Sequence, residues 1–374
     1  MINLLGYSAG RSDEDRWRPF IENLESIKYV KLFFILGPAH FDKKFGNSIK
    51  ILNKKFRNFS RRSYNPNNSI ADDLFDDAKE FEKIILKNKI DYVILLGDRY
   101  EILNIAYLST IYNLPIIHIY GGAISSGAID NQIRNSVSKL SHYHLVACKL
   151  YKKRLIQMGE SRDSIEIIGV PNLSNLVKYK NKFSKKEIEK KINFKLNYPS
   201  IILTIHPVTL HKGESLDILK NMFKIIEDLK INCILTYPNK DIGHKEIVNE
   251  LKKFKVKFKD KCILIKSFQE DLLGSLFSNV DVMIGNSSSG IVESASFKLP
   301  TINIGNRQNG KLIPKNVINC KPDYFSILNS VKKSLTKNYI KNISKLENPY
   351  ETKKPLNFEK ILNNLKNSKN LLIK

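Results

Sequence analysis

The chain has 374 residues, of which 42% are hydrophobic, enough for two domains of ordinary size with real cores, and no apolar run approaches the roughly 20 residues of a membrane helix. Its four cysteines, Cys148, Cys233, Cys262 and Cys320, are scattered without zinc-ligand spacing, which excludes a disulfide scaffold and a structural metal and fits reduced thiols in the cytoplasm. The formal net charge of +25 suits nucleic acid, an anionic membrane surface or an anionic substrate, but lysine is spread along the whole chain with no compact Arg/aromatic cluster, so nucleic acid is not expected, a Lys/Asn/Ile compositional bias accounts for the charge, and a peripheral membrane contact stays open.

Met1 leads straight into Ile2–Tyr7, an apolar first strand with no basic or small-residue leader pattern before it. Short apolar runs then recur at Tyr29–Leu36, Tyr92–Leu96, Pro115–Ile119, Tyr143–Ala147 and Glu166–Val170. A second series follows at Ile201–Ile205, Ile231–Tyr237, Cys262–Ile265, Asp281–Ile284 and Thr301–Ile304. Helical spacing separates most of them, at Trp17–Leu24, Ala71–Asn88, Ile102–Tyr112, Ile129–Leu140, Leu150–Met158, Leu216–Leu229 and Lys245–Phe254. Near-continuous apolar strands alternating with helices predict parallel sheets covered on both faces. Eleven such strands suit two Rossmann-like domains better than one sheet. The polar stretch around 172–198 places the boundary, giving domains 1–172 and 173–355. The segment 356–374 has helical apolar spacing and is expected to pack back on the first domain.

In open α/β sheets, ligands gather beyond the carboxyl ends of the strands. Gly285-Asn286-Ser287-Ser288-Ser289-Gly290-Ile291-Val292-Glu293 follows an apolar run and reads as strand, tight turn and helix start. Small hydroxyls and backbone N–H groups at a helix N-terminus suit a diphosphate. Glu293, one turn into the helix, is placed to accept from a ribose diol. The same residues also fit a plain serine-capped helix. Gly97-Asp98-Arg99 ends another strand, where Asp98 is either a general base or orienting carboxylate, or an N-cap for the next helix. His206 ends a third strand and suits a diphosphate contact, proton transfer or a structural hydrogen bond. Tyr237-Pro238-Asn239 ends a fourth. The first turn, Ser8-Ala9-Gly10-Arg11-Ser12-Asp13, lacks GxGxxG, so no dinucleotide cofactor is expected. Arg11 there and Arg307 in the second half each suit bidentate contact with a diphosphate.

These segments together resemble the UDP-N-acetylglucosamine 2-epimerase family, closest to its hydrolysing branch in sialic and legionaminic acid synthesis. The matching pieces run in family order: Gly10-Arg11-Ser12-Asp13, His40-Phe41, Gly97-Asp98-Arg99-Tyr100-Glu101, His118-Ile119-Tyr120-Gly121-Gly122, Gly127-Ala128-Ile129-Asp130, Ile133-Arg134, Ile205-His206-Pro207, Tyr237-Pro238-Asn239, the Gly285–Glu293 turn, and Arg307-Gln308. The resemblance implies a GT-B fold, two Rossmann-like domains with parallel sheets facing across an interdomain cleft. It implies UDP bound mainly by the second domain near Ser287, Ser288, Ser289, Gly290, Glu293, Arg307 and Asn239, with Arg11 on the diphosphate. It implies catalytic or orienting roles for Asp98, Asp130, His206 and His40, no cofactor or metal, and a cytoplasmic homodimer.

The family's reaction removes UDP from a UDP-amino sugar across C1–C2 and hydrates the glycal to the C2-inverted free sugar, for surface-glycan synthesis. That is the function the resemblance implies here. The departures fall in the first-domain sugar pocket: Tyr120 stands where His or Glu is usual, Ala123 where Glu is usual, Asn131 in the acidic pair, and Asn135 for His. Outside that pocket, Ser174 and Asn306 each stand where Asp is usual. Losing a general acid or base costs on the order of 10²–10⁴-fold. These losses keep alternatives alive: a GT-B glycosyltransferase, or a binder without turnover.

Overall fold

The computed structural model describes residues 1–41, 59–60, 65–124, 129–208, 213–238, 243–352, 354 and 356–367, with the side chains of 11–12, 14–15, 59–60 and 366–367 outside the description. The chain divides into two compact units: Met1–Ala123 with Ile129–Asn172 and Thr352–Lys374, and Ile124–Ala128 with Leu173–Glu351.

The first unit carries a seven-stranded sheet of β1 (Ile2–Ser8), β2 (Val30–Leu36), β3 (Phe59–Ser60), β4 (Tyr92–Leu96), β5 (Ile116–Ile119), β6 (Tyr143–Val146) and β7 (Ile165–Ile167), in the order β3-β2-β1-β4-β5-β6-β7. The second carries a six-stranded sheet of β8 (Ser200–Thr204), β9 (Asn232–Thr236), β10 (Cys262–Ile265), β11 (Val282–Gly285), β12 (Thr301–Ile304) and β13 (Val317–Cys320), in the order β10-β9-β8-β11-β12-β13. Every paired strand is parallel. Each unit is thus a doubly wound α/β sheet, and the fold is of the GT-B class.

Period-2 alternation sends successive residues to opposite faces, and both faces are apolar. In the first unit Leu4, Phe34, Leu36, Ile94, Leu96 and Ile117 build one core, while Leu5, Tyr7, Ile35, Val93, Leu95 and Ile116 build the other. In the second, Ile201, Leu203, Val282, Ile284 and Ile302 face one side, and Ile202, Ile234 and Met283 the other. Helices complete the layers. Helix Ile70–Lys87 is set by a capping box between Ser69 and Asp72. Helix Phe358–Asn367 buries Phe358, Ile361, Leu362 and Leu365 in the core that holds Trp17 and Phe20.

Some elements differ from the sequence expectation. β13 carries Asn319 between apolar neighbours and, among the described residues, pairs with β12 alone, so its pattern reads as loop. The polar stretch before residue 198 contains helix Lys185–Ile192, again set by a capping box, Ser184 with Glu187. The expected helix after the serine turn is a four-residue α-turn, Ser289–Val292, followed by a 3₁₀ segment, Ser294–Phe297. Among the described residues no helix is long and apolar enough to cross a membrane.

Candidate functional site

Strand order reverses between β1 and β4 in the first unit and between β8 and β11 in the second. Such switch points open a crevice at the carboxyl ends. The candidate residues stand at these ends.

In the second unit His206 follows β8 and the serine turn follows β11. Gly285 ends β11 at φ +141°, where any Cβ would strike the carbonyl of Thr204 on the adjacent strand, so glycine is required. Asn286, fully buried, then locks the two strand ends. Its Oδ1 accepts from the His206 N–H at 2.7 Å, and its Nδ2 donates to the His206 carbonyl at 2.9 Å. Its own carbonyl accepts from Gln308 Nε2 at 2.7 Å and Arg307 Nη1 at 3.2 Å. Ser215 Oγ also donates to the His206 carbonyl at 3.1 Å. The structure therefore gathers His206, Arg307 and the start of the serine turn around one asparagine. Burial, then the nearby Arg307 charge, pushes the His206 imidazole down to about 3, so it is neutral near pH 7. Ser287 Oγ accepts from Ser289 N–H at 3.3 Å, and Ser287 O accepts from Gly290 N–H at 3.2 Å. Ser288 and Ser289 are half-buried beside them. Glu293 is the residue at which the α-turn gives way to the 3₁₀ segment, not a position inside a regular helix. Asn239 lies outside the described residues.

In the first unit His40, after β2, is buried with Nε2 3.0 Å from Ser8 Oγ at the end of β1. Burial pushes its imidazole down to about 4, against the opposing effect of a hydrogen bond with the Ser8 backbone. Asp98 follows β4. It is not an N-cap: the next helix, Tyr100–Ile111, starts from Arg99. Instead Asp98 Oδ2 accepts from Arg134 Nη2 on helix Asp130–Leu140. Arg134, 5% exposed, also donates through Nη1 to Ala123 O at 2.7 Å and, more weakly, to Asn131 Oδ1 at 3.4 Å. Asp130 opens the helix that carries Arg134, one turn earlier. The Arg11 side chain lies outside the description.

His118, inside β5, is structural. Its Nε2 must donate to the Gly97 carbonyl at 2.8 Å, so Nδ1 accepts from Ser138 Oγ at 3.0 Å. Burial pushes it down to about 3. The bond fixes the turn that presents Asp98. Tyr120 sits at φ +67°, an uncommon backbone state for a bulky residue. Its ring meets Phe20 edge-on at 6.1 Å, and burial holds its hydroxyl neutral by raising it. Gly122, at φ +72°, leaves no room for a Cβ, which would lie 2.5 Å from Tyr151 O.

Sequence patterning assigned no role to Asn286 or Arg134. Both lie inside recognisable segments, but their partners are 80 and 36 residues away, so only the folded chain reveals them.

A family model described as UDP-N-acetylglucosamine 2-epimerase matches residues 22–366. A Campylobacter jejuni protein named GDP/UDP-N,N'-diacetylbacillosamine 2-epimerase (hydrolyzing) is 35% identical over 322 residues, covering 83% of this chain and 82% of that protein. A Legionella pneumophila protein named UDP-N,N'-diacetylbacillosamine 2-epimerase (hydrolyzing) is 31% identical over 355 residues, 91% of each. The crystal structure of UDP-GlcNAc 2-epimerase from Neisseria meningitidis bound to UDP-GlcNAc aligns with a TM-score of 0.73 over 97% of this chain and 99% of that one. At 16% identity, that likeness is one of fold.

Proposed function

The chain belongs to the UDP-N-acetylglucosamine 2-epimerase family, and we propose that it is a hydrolysing 2-epimerase of a UDP-linked N-acetylamino sugar, either UDP-N-acetylglucosamine or a diacetamido analogue. The observation that carries this reading is the run of relatives named as hydrolysing 2-epimerases at 35% and 31% identity over most of the chain. A glycosyltransferase is not favoured by those relatives.

The reaction begins with loss of the C2 proton to a base. The C2–H electrons form the C1=C2 bond as the C1–O bond breaks, and UDP departs with that electron pair. Water then adds across the double bond, hydroxyl to C1 and proton to the opposite face of C2. The chemistry needs a base for a weakly acidic proton and cationic stabilisation of the diphosphate.

In this reading the second unit holds UDP, with Arg307 and the Ser287–Gly290 turn on the diphosphate and Glu293 on the ribose. Neutral His206 contributes a hydrogen bond rather than a charge. Arg11 and Asn239 complete the nucleotide contacts. The first unit holds the sugar, with Asp98 as the acid/base or orienting carboxylate, Arg134 holding it in place, and Asp130 and His40 supporting the pocket. His40, buried on Ser8, acts by fixing the end of β1. The protein works in the cytoplasm, where free thiols persist and nucleotide sugars are made. Its product feeds surface-glycan synthesis.

We also infer a homodimer. Tyr107 and Ile111 stand 58% and 59% exposed on helix Tyr100–Ile111, an apolar stripe that a second copy would cover. Light scattering on the purified chain reads this directly, and a monomeric mass rejects it.

The test of the activity is phosphorus and proton NMR of the full chain with UDP-N-acetylglucosamine and its diacetamido analogue in heavy water, without acceptor. UDP should appear together with a free sugar inverted and deuterated at C2. Intact substrates across a panel of nucleotide sugars would sink the reading.

A further inference from the structure

One helix reaches the Gly97–Asp98 turn by two routes. Directly, Arg134 on helix Asp130–Leu140 donates to the Asp98 carboxylate. Indirectly, Ser138, one turn further along the same helix, places its Oγ 3.0 Å from His118 Nδ1. The far side of that ring, Nε2, lies 2.8 Å from the Gly97 carbonyl. A third tie is the Gly97 N–H, which donates to Ile119 O at 2.9 Å. Arg134 therefore sets the carboxylate of Asp98, while Ser138 and His118 set the backbone that carries it.

The indirect route depends on where one proton sits. Burial keeps the His118 ring neutral near pH 7, so it carries a proton on one nitrogen and accepts at the other. With the proton on Nε2 the ring clamps the Gly97 carbonyl. With the proton on Nδ1, two lone pairs face each other across 2.8 Å and the clamp is lost. The Ser138 hydroxyl, donating to Nδ1, selects the first state and fixes the plane of the ring. His118 and Ser138 are both 0% exposed, so bulk water does not stand in for the hydroxyl. Gly121 closes the space over this bond: a Cβ there would lie 2.9 Å from Ser138 Oγ and 3.0 Å from His118 Nδ1.

The structure assigns Ser138 as a positioning residue for the C2-proton step, acting through His118 to hold the Gly97–Asp98 turn where Arg134 presents the carboxylate to the sugar. This inference rests on the epimerase reading and on the role given to Asp98 above. It gives a buried hydroxyl a kinetic consequence. A carboxylate that must meet a carbon-bound proton is sensitive to displacement, and an error of about 1 Å in such a group costs on the order of 10²-fold in rate. Nucleotide affinity is a separate readout, because other residues are assigned to UDP.

The experiment measures kcat and KM of Ser138→Ala in the full chain, with UDP affinity by calorimetry. It also follows the Asp98 carboxyl carbon by NMR of aspartate-labelled protein, assigned with Asp98→Asn. We expect kcat to fall about ten-fold to a hundred-fold with KM and UDP affinity held within about two-fold, and the Asp98 resonance to shift. Gly121→Ala keeps every polar group and wedges the Ser138–His118 bond. It should give the same pattern, and it covers the case in which Ser138→Ala does not fold. His118→Gln puts an amide N–H near the Nε2 position and has no tautomer to choose, so adding Ser138→Ala to it should change kcat by less than about two-fold. A full loss in that background shows that Ser138 acts by another route and overturns the inference. Normal kcat in folded Ser138→Ala overturns it too, as does a parallel loss of UDP affinity, the mark of general loosening. Release of UDP by the unaltered protein from neither UDP-N-acetylglucosamine nor its diacetamido analogue counts against the epimerase reading. The Asp98 resonance then decides the positioning: a shift in both variants supports it, and an unmoved line rejects it.

Discussion

The backbone of His206 and the side chain of Asn286 are joined by a reciprocal pair of hydrogen bonds, 2.7 Å from His206 N–H and 2.9 Å back to its carbonyl. This pair ties the end of β8 to the end of β11, the two strands that flank the switch point. Asn286→Ala removes both bonds and strands the buried His206 N–H, while the His206 carbonyl keeps Ser215 Oγ. Each net hydrogen bond contributes roughly 1 kcal/mol, and a buried group left unmade costs about 1–3 kcal/mol more. We expect Asn286→Ala to lose about 3–5 kcal/mol in denaturant unfolding and to weaken UDP binding in calorimetry. Wild-type affinity in a folded Asn286→Ala protein would separate this lock from the nucleotide site.

Asp98 is held by Arg134 from a neighbouring helix. Asp98→Asn preserves the shape and removes the charge. It should lower kcat by on the order of 10²–10⁴-fold, the scale of a general acid or base. The UDP dissociation constant, read by calorimetry, should not change, because the proposed role of Asp98 is toward the sugar and not the nucleotide. A variant that turns over normally removes Asp98 from the chemistry.

Three buried histidines set the acid stability. His40, His118 and His206 are pushed down to about 4, 3 and 3. In the unfolded chain each titrates near 6.5. Between these values the unfolded chain binds protons that the folded chain refuses. Their effect is therefore absent above pH 6.5, and stability is lost as pH falls from there toward 4. Each histidine costs about 1.4 kcal/mol per pH unit in that window. Unfolding free energies from pH 7.5 to 4.5 should fall steeply below 6.5, and His118→Gln should flatten the slope by about one histidine. An unchanged slope in that variant would show that His118 is protonated in the folded chain.

Helix Phe358–Asn367 is part of the first unit's core although it comes last in the chain. Asn23 fastens it, with Nδ2 donating to Leu356 O at 2.9 Å and Oδ1 accepting from Phe358 N–H at 2.8 Å. The Phe358 ring meets Phe20 edge-on at 6.0 Å, and Phe20 meets Tyr120. Phe358→Ala should cost about 3–5 kcal/mol, as for a large buried aromatic. Thermal unfolding checks the magnitude. A loss below about 1 kcal/mol would mean that the helix is dispensable to that core.

The sequence determined the fold class through a local signal. Runs such as Val93-Ile94-Leu95-Leu96 and Ile201-Ile202-Leu203 are apolar at every position, and a strand with no polar face must be covered on both sides. The ordered motifs determined the family, because each is a short contiguous string. β13 escaped notice because an edge strand buries too little to need a uniform apolar pattern. What each motif residue touches was decided only by tertiary structure. Asp98 reads equally well as a helix cap or as a base until Arg134, 36 residues on, takes its carboxylate. His206 reads as a diphosphate contact, a proton carrier or a structural hydrogen-bonder until burial makes its ring neutral. Arg134 and Arg154 follow β5 and β6 and reach adjacent carbonyls of one turn because those strands are neighbours in the sheet. Local sequence fixes periodicity and turn chemistry over a few residues, whereas charge, protonation and partner depend on groups that parallel crossovers bring from tens of residues away.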